Sequence, residues 1–141
     1  IEIGRGEILR EGERVAIVGY GTGVQKGLEA ADLLAEGGLE VTVADARFAK
    51  PLDEDLIASL AAEHDLLVTV EEGVLSGGFG SAVWECLSDG GLAPRILRVG
   101  LPDRYVTHGK PALLHEEVGF TPERIAERIE AAVMEPRGTL V

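Results

Sequence analysis

The chain has a single cysteine, few aromatic residues and no long apolar run. One cysteine, Cys86, excludes an internal disulfide and a thiolate metal cluster, which favours a reducing compartment such as the cytoplasm. No stretch reaches the roughly 18 apolar residues of a membrane span. The first residues, IEIGRGEI, lack the basic and apolar regions of a signal peptide. With aromatic residues at 4% of the chain, we expect a core built from Val, Leu, Ile and Ala.

Basic residues are also scarce, because 13 Lys and Arg stand against 25 Asp and Glu and give a formal net charge of -12. Such a field repels nucleic acids and anionic lipids, so we expect neither nucleic acid nor membrane among the partners. A length of 141 residues suits one domain. Because the chain does not begin with Met, we expect residues 1–141 to be a single domain taken from a longer protein.

Short β-branched runs alternate with segments of helical periodicity. Strands separated by helices form βαβ crossovers, which predicts a mostly parallel sheet with helices on both faces. A short extra strand, Gly6 to Leu9, falls outside this alternation and fits an antiparallel edge strand. The other predicted strands are Val15 to Gly19, Leu39 to Ala46, Leu66 to Val70 and Ile96 to Val99, and the predicted helices begin near Val24, Asp53 (after Pro51), Gly77 and Thr121.

A glycine turn, GYGTG at residues 19–23, is the first candidate site. A dinucleotide fingerprint requires G-x-G-x-x-G here and an acidic residue at the end of the next strand. Asp45 supplies the acid, but Val24 occupies the position of the third glycine. Glu71 and Glu72 follow the Leu66 to Val70 strand and face the place where a pyrophosphate would bind. Their negative charges would repel it. We therefore interpret the glycines as turn formers, with a free-standing Rossmann-like nucleotide-binding or redox domain as the alternative.

A second glycine-rich segment, Glu71 to Ser81, leads into a predicted helix. The free N–H groups at a helix start suit an anion, but a carboxylate of the protein satisfies them equally well. We expect such self-capping here, with Glu72 as the nearby carboxylate.

Charged residues also cluster where the Leu39 to Ala46 strand leaves the sheet, namely Asp45, Arg47 and Lys50. Residues two apart share a strand face if the pleat persists, so Asp45 and Arg47 are predicted neighbours. We predict that Arg47 pairs with Asp45 or Glu72 and braces the strand end. A ligand site built on the same residues is the alternative.

The three histidines, His64, His108 and His115, lie in three different elements and lack the spacing of metal ligands. We expect them to be solvated or singly hydrogen-bonded, and we expect Cys86 to pack within a helix. The residues alone therefore predict no catalytic, cofactor-binding or metal-binding residue.

Three segments nevertheless carry a family resemblance: Asp45 to Asp53 (DARFAKPLD), Leu66 to Val83 (LLVTVEEGVLSGGFGSAV) and Gly100 to Gly109 (GLPDRYVTHG). With the opening segment Ile3 to Gly12, they resemble the C-terminal domains of 1-deoxy-D-xylulose-5-phosphate synthases. These are thiamine-diphosphate enzymes of the transketolase superfamily. The resemblance spans nearly the whole chain, and the LPDRYVTHG segment is the part most specific to the synthases.

The resemblance implies a three-layer α/β/α fold with a five-stranded, mostly parallel sheet. It also implies that the Gly6 to Leu9 strand lies antiparallel at the edge, beside the Leu39 to Ala46 strand. Full-length members are transferases that join pyruvate to D-glyceraldehyde 3-phosphate with loss of CO2, for isoprenoid, thiamine and pyridoxal biosynthesis.

Members of this family use thiamine diphosphate and a divalent metal, normally Mg2+. Their ligands for both belong to the two preceding domains, so no catalytic residue carries over to this chain. The resemblance therefore implies an assembly domain of a cytoplasmic homodimer, inactive by itself. The polar segment after the last predicted strand contains four apolar residues, Leu101, Pro102, Tyr105 and Val106. We expect them to form a surface that packs on the preceding domains or across the dimer.

Overall fold

The computed structural model describes residues 2–74, 78–92, 94–101 and 121–135. The elements in chain order are β1 (Glu7–Arg10), β2 (Val15–Gly19), α1 (Gly23–Glu36), β3 (Thr42–Asp45), α2 (Glu54–Glu63), β4 (Leu66–Val74), α3 (Phe79–Asp89), β5 (Arg95–Leu101) and α4 (Pro122–Met134). Every predicted strand and helix is present, although some of their ends differ.

The five strands form one sheet in the order β1-β3-β2-β4-β5. The strands from β2 to β5 run parallel, whereas β1 pairs antiparallel with β3. The edge position that the resemblance implied for the first strand is thus confirmed. From β2 the chain passes to β3 on one side and later to β4 on the other. The carboxyl ends of β2 and β4 therefore flank the switch point, where open α/β sheets form a crevice.

Two cores lie on opposite faces of the sheet because successive strand residues point to opposite sides. In β2, Val15 and Ile17 pack with side chains of α1 and α4, while Ala16 and Val18 pack with side chains of α2 and α3. This arrangement confirms the three layers. The core side chains are aliphatic, as the composition predicts, apart from the fully buried Phe79 at the start of α3.

Two predicted helix caps are confirmed by their hydrogen bonds. The Asp53 carboxylate accepts from the N–H of Leu56 at 3.1 Å, and the Thr121 hydroxyl accepts from the N–H of Arg124 at 3.3 Å. The second oxygen of Asp53 accepts from the N–H of Gly6 at 2.8 Å. Asp53 therefore also joins the start of α2 to the segment before β1.

Three strands differ in length from the predictions. The predicted Ile96 to Val99 strand runs from Arg95 to Leu101 as β5. The predicted Leu66 to Val70 strand continues to Val74 as β4, because its extension pairs with the end of β5. The predicted Leu39 to Ala46 strand is shorter, because the N–H of Leu39 still bonds the carbonyl of Leu34 at the end of α1, at 2.9 Å.

Helix α3 buries only one stripe of its apolar residues. Phe79, Val83 and Leu87 recur every four residues and face the sheet, whereas Trp84 lies beside this stripe and is 51% exposed. Trp84 thus belongs to the predicted helix but not to its buried face. Within the described residues, no helix has the length and apolar character required to cross a membrane.

Candidate functional site

A crevice of about 430 Å³ lies at the carboxyl ends of β2 and β4. Its walls come from Tyr20 after β2, residues 47–50 after β3, Glu71 in β4, and Phe79 and Ala82 in α3. The crevice thus brings together three candidates that are separate in the sequence. They are the glycine turn, the charged cluster after β3 and the start of α3.

Three backbone N–H groups in and directly after the glycine turn at residues 19–23 bond carbonyls of the protein. The N–H of Gly23 bonds the carbonyl of Tyr20 at 3.1 Å, and that of Val24 bonds the carbonyl of Gly21 at 3.2 Å. The N–H of Tyr20 bonds the carbonyl of Val70 in β4 at 3.0 Å. Gly21 has a φ of +62°, which glycine adopts without strain.

Gly23 also lies against the backbone of β4. A Cβ atom at this position would approach the carbonyl oxygen of Val70 to 2.1 Å. A Cβ at Gly19 would meet the Cα of Val24 at 2.6 Å. These distances confirm the interpretation of the glycines as turn and packing residues.

Glu71 caps helix α3. It is 3% exposed, and its Oε2 accepts a short hydrogen bond from the N–H of Phe79, the first residue of the helix. Self-capping is therefore confirmed, and the carboxylate that provides it is that of Glu71. Leu67 packs in the same core as Phe79, and Glu71 follows it by four residues on the same strand face, which explains the choice of residue. The side chain of Glu72 lies outside the described part of the structure.

The other oxygen of this carboxylate, Oε1, is buried and has no hydrogen-bond partner among the described residues. A buried acceptor without a partner costs about 1–3 kcal/mol, and more when it carries charge. Beside it, the rings of Tyr20 and Phe79 stack with centroids 5.3 Å apart and planes 12° from parallel. The crevice therefore combines a buried carboxylate with an aromatic wall.

Arg47 braces the sheet, but with a partner that the sequence did not indicate. Its guanidinium lies 2.5 Å from the Oε1 of Glu7 in β1. Asp45 instead accepts from the backbone N–H of Arg47 at 2.9 Å. Because Arg47 has a φ of +63°, the pleat ends before it and the two side chains do not share a strand face. The predicted side-chain pairing with Asp45 is thus replaced by a pairing with Glu7, and the predicted alternative, Glu72, has a side chain outside the described part of the structure.

His64 is partly exposed and makes two hydrogen bonds, whereas the sequence predicted a solvated or singly bonded ring. Its Nδ1 lies 2.8 Å from the carbonyl oxygen of Leu60, and its Nε2 lies 2.8 Å from the hydroxyl of Thr42. That hydroxyl also bonds the backbone of Gly12. Thr42 belongs to a strand 22 residues away, and no local sequence signal relates it to His64. The ring therefore links α2 to β3.

The remaining candidates add no reactive group to the crevice. Cys86 packs against the core beneath α3, and burial raises the pKa of its thiol, helped by Glu54 and Asp89. It therefore lacks the character of a reactive thiolate. The described ranges contain no group of three or more side chains suited to hold a metal. His108, His115, Tyr105 and Val106 lie outside the described residues.

The fold is that of a three-layer α/β domain with an antiparallel edge strand and a crevice at the carboxyl ends of its parallel strands. The family described as transketolase, C-terminal domain, matches residues 4–125. The chain therefore belongs to the family of transketolase C-terminal domains.

Several curated relatives share about half of the residues. A 1-deoxy-D-xylulose-5-phosphate synthase from Trichodesmium erythraeum is 50% identical over 129 residues, which cover 92% of this chain and 20% of that protein. A probable 1-deoxy-D-xylulose-5-phosphate synthase 2, chloroplastic, from Oryza sativa subsp. japonica is 52% identical over 96% of this chain and 19% of its own length. The chain thus spans about a fifth of the length of these relatives.

Solved structures show the same fold. A split-gene transketolase, titled an inactive beta4 tetramer, matches with a TM-score of 0.86 and 35% identity over 94% of this chain and 43% of that chain. A transketolase from Pichia stipitis matches with a TM-score of 0.67 and 22% identity over 94% of this chain and 18% of its own. At 22% identity, the similarity to the Pichia stipitis transketolase shows only that the fold is shared.

Replacing Gly23 with Ala should lower the free energy of unfolding by about 1–3 kcal/mol or more, because the added methyl meets a strand carbonyl that cannot move aside. Gly37→Ala is the matched control, since its added Cβ would meet no atom closer than 3.6 Å. Urea unfolding of both variants measures the difference. Equal stability of the two variants would contradict the close approach.

Replacing Arg47 with Ala should lower the unfolding free energy by about 1 kcal/mol or less, because its pair with Glu7 is partly exposed, at 29% and 52%. A double-mutant cycle with Glu7→Gln isolates the pair, and Arg5→Ala, which removes a more exposed pair with Glu2, is the control. In a full-length synthase that carries this chain as its C-terminal segment, the Michaelis constants of both substrates should stay within about threefold. Unchanged stability with one constant raised more than about tenfold would instead make Arg47 a substrate contact.

Proposed function

We propose that the chain is the C-terminal domain of a larger transferase that makes 1-deoxy-D-xylulose 5-phosphate. That enzyme condenses pyruvate with D-glyceraldehyde 3-phosphate and releases CO2, for isoprenoid, thiamine and pyridoxal biosynthesis. The observation that carries this proposal is the identity of about half of the residues to named synthases, over nearly the whole chain. The likeness to a split-gene transketolase at a TM-score of 0.86 supports the same family of chemistry.

Within that enzyme we assign the chain a role in assembly, with thiamine diphosphate and Mg2+ bound by the preceding domains. Several groups that could hold a diphosphate here are used internally. The N–H groups of Tyr20 and Gly23 in the glycine turn bond nearby carbonyls, Glu71 caps α3, and Arg47 pairs with Glu7. A diphosphate in the crevice would also meet the buried carboxylate of Glu71. The residues present therefore do not fit the cofactor.

The proposed partners are the preceding domains of the same chain and a second subunit. An apolar surface near the edge strand β5 supports this proposal. Trp84 is 51% exposed and Leu92 is 41% exposed, and both line a surface hollow with Ile96 of β5. Monomeric domains rarely leave such patches open. The compartment follows the source organism: we propose the cytoplasm for a bacterial protein, whereas the rice relative is named chloroplastic.

A chimera tests the proposed function directly. The C-terminal fifth of the Trichodesmium erythraeum synthase is replaced by this chain, and 1-deoxy-D-xylulose 5-phosphate formation is measured with thiamine diphosphate and Mg2+. We expect the chimera to be active and to bind the cofactor, because about half of the residues in the exchanged segment are identical. The synthase with its own segment restored is the control.

The 141-residue chain by itself should be inactive in the same assay and should bind neither thiamine diphosphate nor NAD in calorimetric titration. Micromolar binding of either compound to the chain would overturn the assembly role. A folded but inactive chimera would overturn the assignment to this enzyme.

Replacing Tyr105 and Val106 together with Ser should weaken dimerisation of the chimera, because apolar residues in a polar segment suit a buried contact. Analytical ultracentrifugation at low protein concentration measures the dimer fraction. Thr107→Ser, a conservative change in the same segment, should leave it unchanged. A double variant that sediments like the unmodified chimera would contradict this interface.

A further inference from the structure

We propose that the crevice at the carboxyl ends of β2 and β4 binds a small zwitterion. Its protonated amine would lie toward Glu71 and its anionic group toward Lys50. This site goes beyond the assembly role and does not depend on it, because every group involved belongs to the described part of this chain.

The inner end of the crevice calls for a hydrogen-bond donor. Glu71 lines the crevice and is 3% exposed. One of its oxygens caps α3, and the other has no partner among the described residues. A buried carboxylate is stabilised by a donor that carries positive charge, because charge-assisted hydrogen bonds are stronger than neutral ones. An amine of a ligand supplies both the donor and the charge.

The walls suit the same group. The ring of Tyr20 lines the crevice at the end of β2, and the buried ring of Phe79 stacks behind it. Aromatic faces attract cations, and an ammonium or guanidinium group benefits most when water is excluded. A volume of about 430 Å³ lies at the lower end of the range for small-molecule sites. The crevice therefore fits a compact molecule.

The outer end carries the opposite charge. Lys50 is exposed at the rim and forms no ion pair with any described residue. Arg47, on the same rim, already pairs with Glu7. Lys50 thus offers an ammonium to an anionic group, on a chain whose net charge is -12.

The two ends together select for a molecule with both charges. An anion alone would meet the buried carboxylate of Glu71, and a cation alone would leave the exposed ammonium of Lys50 without a counter-charge. A molecule with an amine at one end and a carboxylate or phosphate at the other meets a complementary charge at each end.

Titration of the chain tests this selectivity. The probes are 4-aminobutyrate and 2-aminoethyl phosphate, and the singly charged controls are butylamine, butyrate and inorganic phosphate. We expect at least one zwitterion to bind at least about tenfold more tightly than each control, with saturable shifts of the amide resonances of Tyr20 and Phe79. The tighter of the two zwitterions identifies the anionic group as carboxylate or phosphate.

Three variants assign the two ends. Glu71→Gln keeps an oxygen for the N–H of Phe79 but removes the charge, and should weaken zwitterion binding at least about tenfold. Lys50→Met should weaken zwitterion binding without weakening that of butylamine. Glu85→Gln, an exposed change on α3 away from the crevice, is the control and should leave all affinities unchanged.

Two results would overturn the proposal. One is the absence of saturable binding of either zwitterion below about 10 mM. The other is binding that Glu71→Gln and Lys50→Met leave unchanged. Should Glu71→Gln fail to fold, two other measurements test the proposal. They are the affinities of the zwitterions relative to the singly charged compounds, and the effect of Lys50→Met on zwitterion binding.

Discussion

The close packing of the glycine turn against β4 is the constraint on which the rest of the crevice depends. With Gly23 in contact with the backbone at Val70, helix α1 starts directly above the sheet and β2 stays in register with β4. No side chain fits between them. This contact places the start of α1 directly against the end of β4. A turn that resembles a nucleotide-binding motif is thus explained by packing.

The Glu71 carboxylate gives this crevice its chemical character. One oxygen satisfies the start of α3, and the second remains a buried acceptor beside two stacked rings. Parallel sheets often bind anions at this edge through free helix amides. Here an internal anion already occupies that role, so the same architecture favours a positively charged group. The proposed assembly role and this crevice are then separate properties of the chain.

Local patterns predicted most of the elements, because hydrophobic periodicity and caps act within a few residues. The β2 run is buried along its whole length, and Asp53 and Thr121 cap the helices as their positions indicate. Partners distant in the chain were not predictable. Arg47 meets Glu7 across 40 residues, because β1 joins the sheet beside β3 and not beside its sequence neighbour. Trp84 is exposed because only one stripe of α3 meets the sheet.

The sequence by itself determined the class of fold and the alternation of strands and helices. Segments such as LPDRYVTHG also indicated the family. These follow from periodicity and from residue types, which are properties of the chain in one dimension. Only the tertiary structure decided which carboxylate caps α3, which residue pairs with Arg47, and that His64 bonds Thr42. Each of these depends on strand order and on which face a side chain occupies. Both are set by packing across the sheet, between residues that are remote in sequence.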